Sequence, residues 1–367
     1  MLNLILIAIK NPKFATRTHS EFAKTLRKRV NQYFKNNNIT KHANASMISK
    51  TVVMLVLFFG PLVILNTGIV NSIWLLFLLY ALSGIGMAGI GMCVMHDANH
   101  GSYSKNPRVN KMLGYALNLI GANAKVWKIQ HNVLHHTYTN IEESDEDINV
   151  PLFLRFTPHA KRYWIHRFQH WYAWFFYGIS TFFWVVSKDF TSLTRYKKLG
   201  LLKANSSFPL ELMKVAGWKL LYFSYAIIIP LIVLPLSPWA VLLAFLTMHF
   251  LVGLIITSIF QVAHVMPNTK FPLPNEDGLV AGDWYSHQMA TTSNFAPKSR
   301  LFSWFIGGLN YQVEHHLLPH ICHVHYRKLS VIVANTAREY GIPYNTKRTF
   351  IGALYDHFKL LRNLGKA

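Results

Sequence analysis

Three short histidine clusters carry the chemistry legible in this chain. They are His96-Asp97-Ala98-Asn99-His100, His131-Asn132-Val133-Leu134-His135-His136 and Gln312-Val313-Glu314-His315-His316. Neutral imidazole is the commonest protein metal ligand, and a histidine beside an apolar span is costly unless it serves a purpose. On an α-helix, residues i and i+4 lie on one face. His96 and His100 therefore present two ring nitrogens one turn apart, and so do His131 and His135. His136 is rotated by about 100° from its neighbour and is placed to reach a second ion. Gln312 stacks one turn beneath His315 and His316. Seven histidines exceed the needs of one ion and suit two.

Imidazole suits zinc, copper, iron and nickel. The His-Glu-x-x-His pattern of zinc hydrolases is absent, and so are the Glu-x-x-His pairs of soluble di-iron bundles. A histidine-rich di-iron site remains. Such a site binds O2 and yields an oxidant able to take hydrogen from an unactivated methylene. A greasy substrate explains why the clusters lie beside apolar runs.

The elements that must position them follow from composition. The 367 residues are 51% hydrophobic and only 14% charged, where a soluble protein carries about 25%. Apolar runs of about 20 residues mark membrane spans, and four are expected, over 51–65, 72–95, 217–236 and 239–262. The second ends at the first cluster. The class is all-α: an integral membrane protein with four transmembrane helices and a cytosolic helical cap. A basic cytosolic segment occupies 1–50, read as a helix followed by the Asn36–Asn38 loop, with a short apolar start over Met1 to Lys10. The membrane domain spans 51–330, and a basic cytosolic tail 331–367. The net charge of +22 fits the cytoplasmic bias of membrane proteins, or a surface meeting anionic lipid or an acidic partner. The basic residues form no nucleic-acid-reading motif. Cys93 and Cys322 form no Cys-x-x-Cys pair, and Cys93 reads as a small buried residue.

The tiny loops at 69–71 and 237–238 carry no Lys or Arg, so both termini and all three clusters belong on the cytosolic side. The aromatic stretch 164–186 tempts a fifth crossing. If it crossed, the third cluster would face away from the first two and no shared site could form. It is therefore read as an interfacial or partly inserted helix, as is the shorter stretch 110–120.

The three clusters together resemble the histidine boxes of the integral-membrane fatty acid desaturases: His-x-x-x-His at 96–100, His-x-x-x-His-His at 131–136 and Gln-x-x-His-His at 312–316. The third box, with Gln312 where a histidine often stands, is similar to the front-end subgroup, which desaturates between an existing double bond and the carboxyl end. The resemblance runs from about 50 to 330. It implies that His96, His100, His131, His135, His136, His315 and His316 bind two iron ions, and that His264, just after the fourth span, is a further ligand. It also implies an auxiliary role for Gln312. Where some relatives have an Asn one turn before that extra histidine, this chain has Phe260, with Gln261 beside it.

Asp97 and Glu314 sit inside boxes and are candidates to orient imidazoles through hydrogen bonds, the alternative being helix-surface carboxylates. Five of the fifteen acids crowd into 142–147; they read as a solvated loop, with orientation of the second box as the alternative. His320, His323 and His325 read as accessory, His249 as helix packing, His159, His166 and His170 as interfacial, and His287 as part of a segment similar to a substrate-lining stretch. The implied reaction is O2-dependent removal of two hydrogens from a fatty acyl chain, carried on CoA or a lipid, to leave a cis double bond. No haem or flavin is expected on this chain, since no His-Pro-Gly-Gly haem motif is present. Electrons are expected from a separate donor, ferredoxin first and cytochrome b5 second. Rivals are a fatty acyl hydroxylase or epoxygenase on the same scaffold and, more remotely, a metal transporter or sensor.

Overall fold

A computed structural model describes residues 12–16, 20–203 and 205–366; the apolar start and Arg17 lie outside them. Four helices are long and apolar enough to cross a membrane: Ala45–Asn66, Ile73–Asn99, Phe208–Val233 and Pro238–His264. Each extends past its expected bounds at one or both ends, because the polar terminal turns continue the helix beyond the apolar run. At least 22 residues at 1.5 Å each span the hydrocarbon core of about 30 Å. Much of their surface stays uncovered by protein: Val56, Val63, Leu78, Leu220, Ile232 and Leu243 are exposed. That is the face a span offers to lipid.

The spans form two tight hairpins, turning at 67–72 and 234–237. Ser72 caps the second span by accepting from the Leu75 amide, and proline opens the fourth. The chain directions then bring the C-terminal ends of the second and fourth spans, Asn99 and His264, to one end of the bundle. The first and second spans meet closely enough that a side chain on Gly86 would strike the Phe58 backbone. The third span is the least enclosed. It is held by a buried ammonium, with Lys219 Nζ donating to Asp189 Oδ2 at 2.8 Å and to the Gly121 and Trp184 carbonyls at 3.0 Å.

The stretch expected at 164–186 is a longer helical run over 164–198 and is not among the four spans. It lies along the fourth span, with the Gly178 carbonyl against Gly253. The stretch near 110–120 forms short helices at Pro107–Gly114 and Ala116–Leu119. The N-terminal helix, Glu21–Asn36, turns out at Asn37–Asn38 as expected, and its buried Phe22, Leu26 and Val30 rest on the helix Tyr326–Glu339. From 331 onward the chain is folded onto the body: Phe350–Leu364 buries Ala353, His357 and Leu361. Strand structure among the described residues amounts to two parallel two-residue pairings, Lys13–Phe14 with Leu279–Val280 and Asn294–Phe295 with Thr346–Lys347.

A Cβ on Gly253 would lie 2.3 Å from the Gly178 carbonyl oxygen and 2.6 Å from that of Tyr177. Gly253→Ala must push two backbones apart and is expected to cost about 1–3 kcal/mol or more, read as a lower melting midpoint in detergent. Gly217→Ala, whose added carbon meets nothing within 4 Å, is expected to leave the midpoint unchanged.

Candidate metal centre

Eight imidazoles converge at the end of the bundle where the second and fourth spans finish. His96 and His100 end the second span, and His264 is the last residue of the fourth. Just before the first box the helix widens into a π-helical turn, Ile90–Val94, where the Met95 amide reaches back five residues to Ile90. The turn before the third box lies against this widening. Gly307 takes a φ of +65°, and a side chain there would come within 2.4 Å of the Met92 carbonyl oxygen. The third box follows on the helix Gln312–Leu317.

The second box departs from its expected geometry. Ile129–His135 is π-helical, and the His136 amide bonds the His131 carbonyl. Pairing i with i+5 brings His131 and His136 together edge to face, with Nε2 atoms 3.2 Å apart. His135, expected to act beside His131, instead turns its ring toward His264 and His316. His136 also meets His315, Nε2 to Nε2 at 3.0 Å.

Two groups result. Ring nitrogens of His96, His100, His131 and His315 lie within 4.8 Å of one another, and so do those of His135, His264 and His316. His136, with His315 and His316, bridges them. Seven of the eight rings are buried, and His100 is partly exposed. The Nε2 atoms of His100, His135, His264 and His316 are buried without a hydrogen-bond partner. Those of His96, His131, His136 and His315 face only other imidazole nitrogens. Burial, then neighbouring imidazoles, hold His100, His131, His136, His315 and His316 well below the usual imidazole range. Neutral rings with inward lone pairs are what a cation requires. The donor set fits imidazole-binding metals, and two ions suit two groups.

The outward nitrogens of the three-ring group fix its tautomers. His135 Nδ1 donates to Asp145 Oδ1 at 3.0 Å, His264 Nδ1 to the Thr291 carbonyl at 3.2 Å and His316 Nδ1 to Gln288 Oε1 at 2.8 Å. Each bond commits Nδ1 as the donor and leaves Nε2 as the free lone pair. Burial opposes a charge on His135, but Asp145 and Asp147 outweigh it and push that ring up to about 9, so a cation bound there would displace a proton from its Nε2.

Asp145 belongs to the acidic run read from the sequence as a solvated loop. The reading fails because the loop folds back on the box. Asn140, at a φ of +60°, donates its amide to Asp145 Oδ2 at 2.8 Å and its side chain to the His264 carbonyl at 2.9 Å. Gln130 Nε2 donates to Asp147 Oδ1 at 2.7 Å. Glu146 takes Tyr196 and Arg195. The signal for burial was present in an unusual acid density directly after the second box.

Asp97 and Glu314 look elsewhere. Asp97 Oδ2 accepts from His323 Nδ1 at 2.8 Å, and His323 Nε2 lies 2.7 Å from Lys50 Nζ. The His96 ring nitrogen is 3.9 Å from Asp97, beyond hydrogen-bond reach. Asp97, Cys322 and His323 also form a ligand-like group, but the Lys50 ammonium already stands against it. Glu314 accepts from Asn294 Nδ2 and Tyr344 OH, each at 2.8 Å, and burial pushes its carboxyl up to about 7. It ties the third box to the C-terminal segment.

Gln312 is fully buried with neither amide atom bonded. Phe260 lies beside the His96 and His131 rings; Gln261 keeps a buried, unpartnered Oε1. His287 donates from Nε2 to the Thr139 carbonyl at 2.9 Å. His249 bonds Tyr222 OH at 2.7 Å, as expected of helix packing. His166 and His170, expected at an interface, are buried. A small apolar cavity lies between the second and fourth spans and the 164–198 run. Met87, Gly91, Val185 and Ile256 line it, and Trp127 and Phe260 form its wall toward the imidazoles.

Residues 71–348 match the family model described as fatty acid desaturase. The chain is similar to an sn-1 linoleoyl-lipid 6-desaturase of Synechocystis sp., at 35% identity over 94% of this chain and 96% of that protein. It is also similar to one from Arthrospira platensis, at 34% over 94% and 92%. An acyl-lipid (8-3)-desaturase of Physcomitrium patens is 35% identical over 96% of this chain and 73% of that protein.

Asp145→Asn removes, among the described residues, the only carboxylate within 3.0 Å of a box-two imidazole. It is expected to weaken divalent-metal affinity by about 10–100-fold, measured by cobalt(II) titration in detergent. Asp147→Asn, whose oxygen lies 3.4 Å from the same nitrogen, is expected to cost less.

Proposed function

The chain belongs to the fatty acid desaturase family, and on that premise we propose that its two imidazole groups hold a pair of iron ions serving desaturation of a lipid-linked acyl chain. The protein is an integral membrane oxidoreductase that desaturates fatty acyl chains. The observation that carries the metal reading is the set of buried, unpartnered Nε2 atoms in two groups. His96, His100, His131 and His315 hold one ion, and His135, His264 and His316 hold the other. His136 stands between them. Gln312 is an auxiliary polar group beside the third box.

The iron pair supplies O2 binding and an oxidant strong enough to take hydrogen from a methylene. In balance, one O2, two electrons, two protons and two substrate hydrogens give two waters and a double bond. The protein's own groups do the rest. Trp127 and Phe260 keep water from the imidazoles on the cavity side. The cavity holds the acyl chain extended against that wall, and position along it selects the carbons that react. Asp145, Gln288 and the Thr291 carbonyl keep the second group's lone pairs inward. The relatives named for lipid-linked substrates and for positions 6 and (8-3) support a lipid carrier and a new bond on the carboxyl side of an existing one.

Electrons come from a separate acidic carrier, ferredoxin before cytochrome b5. Between Asp97 and Glu142 the chain has no acid and five basic residues. Lys105, Arg108 and Lys111 are exposed and Lys128 half-buried, near the partly exposed His100. A basic face at the one open edge of the cluster suits an acidic donor. The centre and both termini face the cytosol.

Expression in a host fed defined fatty acids, with lipid classes separated and double bonds located by mass spectrometry, tests the function. A new cis bond is expected in lipid-bound chains, with both product and bound iron lost in His135→Ala. Full activity in that variant would overturn the iron assignment. Val150→Cys and Arg300→Cys are both expected to react with an impermeant thiol reagent from the cytosolic side alone. Labelling from opposite sides would refute the four-span topology.

A further inference from the structure

We propose that Gln288 is a positioning residue that sets the ring and tautomer of His316 and locks the second box to the third. The inference rests on reading the imidazole groups as a metal centre. Gln288 lies on the helix Trp284–Thr291, outside all three boxes, and is fully buried. Its amide spans the gap between them. Oε1 accepts from His316 Nδ1 at 2.8 Å, and Nε2 donates to the His136 carbonyl at 2.9 Å. The Thr139 hydroxyl lies 3.0 Å from the same Oε1.

One amide orientation satisfies these partners. Flipped, the amide oxygen would face the His136 carbonyl, which can only accept, so the NH2 stays on that carbonyl and Oε1 is left to accept from His316 Nδ1. The side chain therefore commits His316 to Nδ1–H and leaves its Nε2, buried and unpartnered, turned to His135 and His264. The helix has anchors of its own. Asp283 caps it by accepting from the Tyr285 and Ser286 amides, and Trp284 Nε1 donates to the His136 carbonyl at 3.0 Å. Trp284 and Gln288 thus share one acceptor on the second box, but only Gln288 also touches a ring of the third. The group's three acceptors differ in charge: a carboxylate on His135, a carbonyl on His264 and a neutral carboxamide on His316.

The pair Gln288 and Trp284 separates positioning from mere anchoring. Gln288→Met keeps length and burial but removes the acceptor. Gln288→Glu keeps an acceptor for His316 and loses the donor to His136. Trp284→Phe loses only the anchor. Each is purified in detergent, its fold checked by melting, and iron counted per folded chain and challenged with a chelator. Iron affinity is expected to fall by about 10–100-fold in Gln288→Met, to recover to within a few fold of wild type in Gln288→Glu, and to hold in Trp284→Phe. Wild-type iron affinity in Gln288→Met overturns the proposal, and so does equal loss in all three variants. If the unsubstituted protein binds no iron, the metal reading itself fails, a result distinct from either.

Discussion

Eight imidazoles, seven of them buried, with ring nitrogens turned on one another set the terms for the rest of this molecule. A buried polar group without a partner costs on the order of 1–3 kcal/mol, and this cluster gathers several of them. The gathering is eased where a ring's other nitrogen is satisfied and the inward face meets a cation, although His136 Nδ1 is itself buried without a partner. Elements far apart in sequence exist at this place to supply the outward partners. The acidic loop after the second box gives Asp145, the helix Trp284–Thr291 gives Gln288 and the Thr291 carbonyl, and Tyr326 OH stands 3.3 Å from His315. The C-terminal segment, through Tyr344 and Glu314, holds the third box from behind.

The membrane spans serve this cluster with their ends. Along most of their length they bury apolar faces against one another and offer the remainder to lipid. Only the last turns of the second and fourth spans carry chemistry. Between them lies an apolar cavity whose lining includes Trp127 and Phe260, two rings that also pack against the imidazoles. Phe260 lies beside the His96 and His131 rings and lends that side an apolar wall.

Residue type and spacing made the three boxes and the four spans legible, and the family resemblance added His264. The crossing argument also removed 164–186 from the spans, since a fifth crossing would have split the site. Two things were hidden for physical reasons. Helical-wheel reasoning assumes 3.6 residues per turn, so it paired His131 with His135. The π-helical turn instead pairs His131 with His136 and sends His135 to the other group. The supporting residues were hidden because their partners are distant in sequence: 10 residues separate Asp145 from His135, and 28 separate Gln288 from His316. Lys50 is the clearest case. It stands in the basic segment before the first span, yet it is buried against His323, 273 residues away.

The Thr291 carbonyl gives the centre an uneven heredity. Two of the three acceptors in the His135, His264 and His316 group are side chains, open to change by a single codon. The third is main chain, and replacing Thr291 leaves its oxygen where it was. The orientation of His264 is therefore inherited with the fold, while those of His135 and His316 are inherited residue by residue. Sequence drift in such a centre has two adjustable rings and one fixed reference.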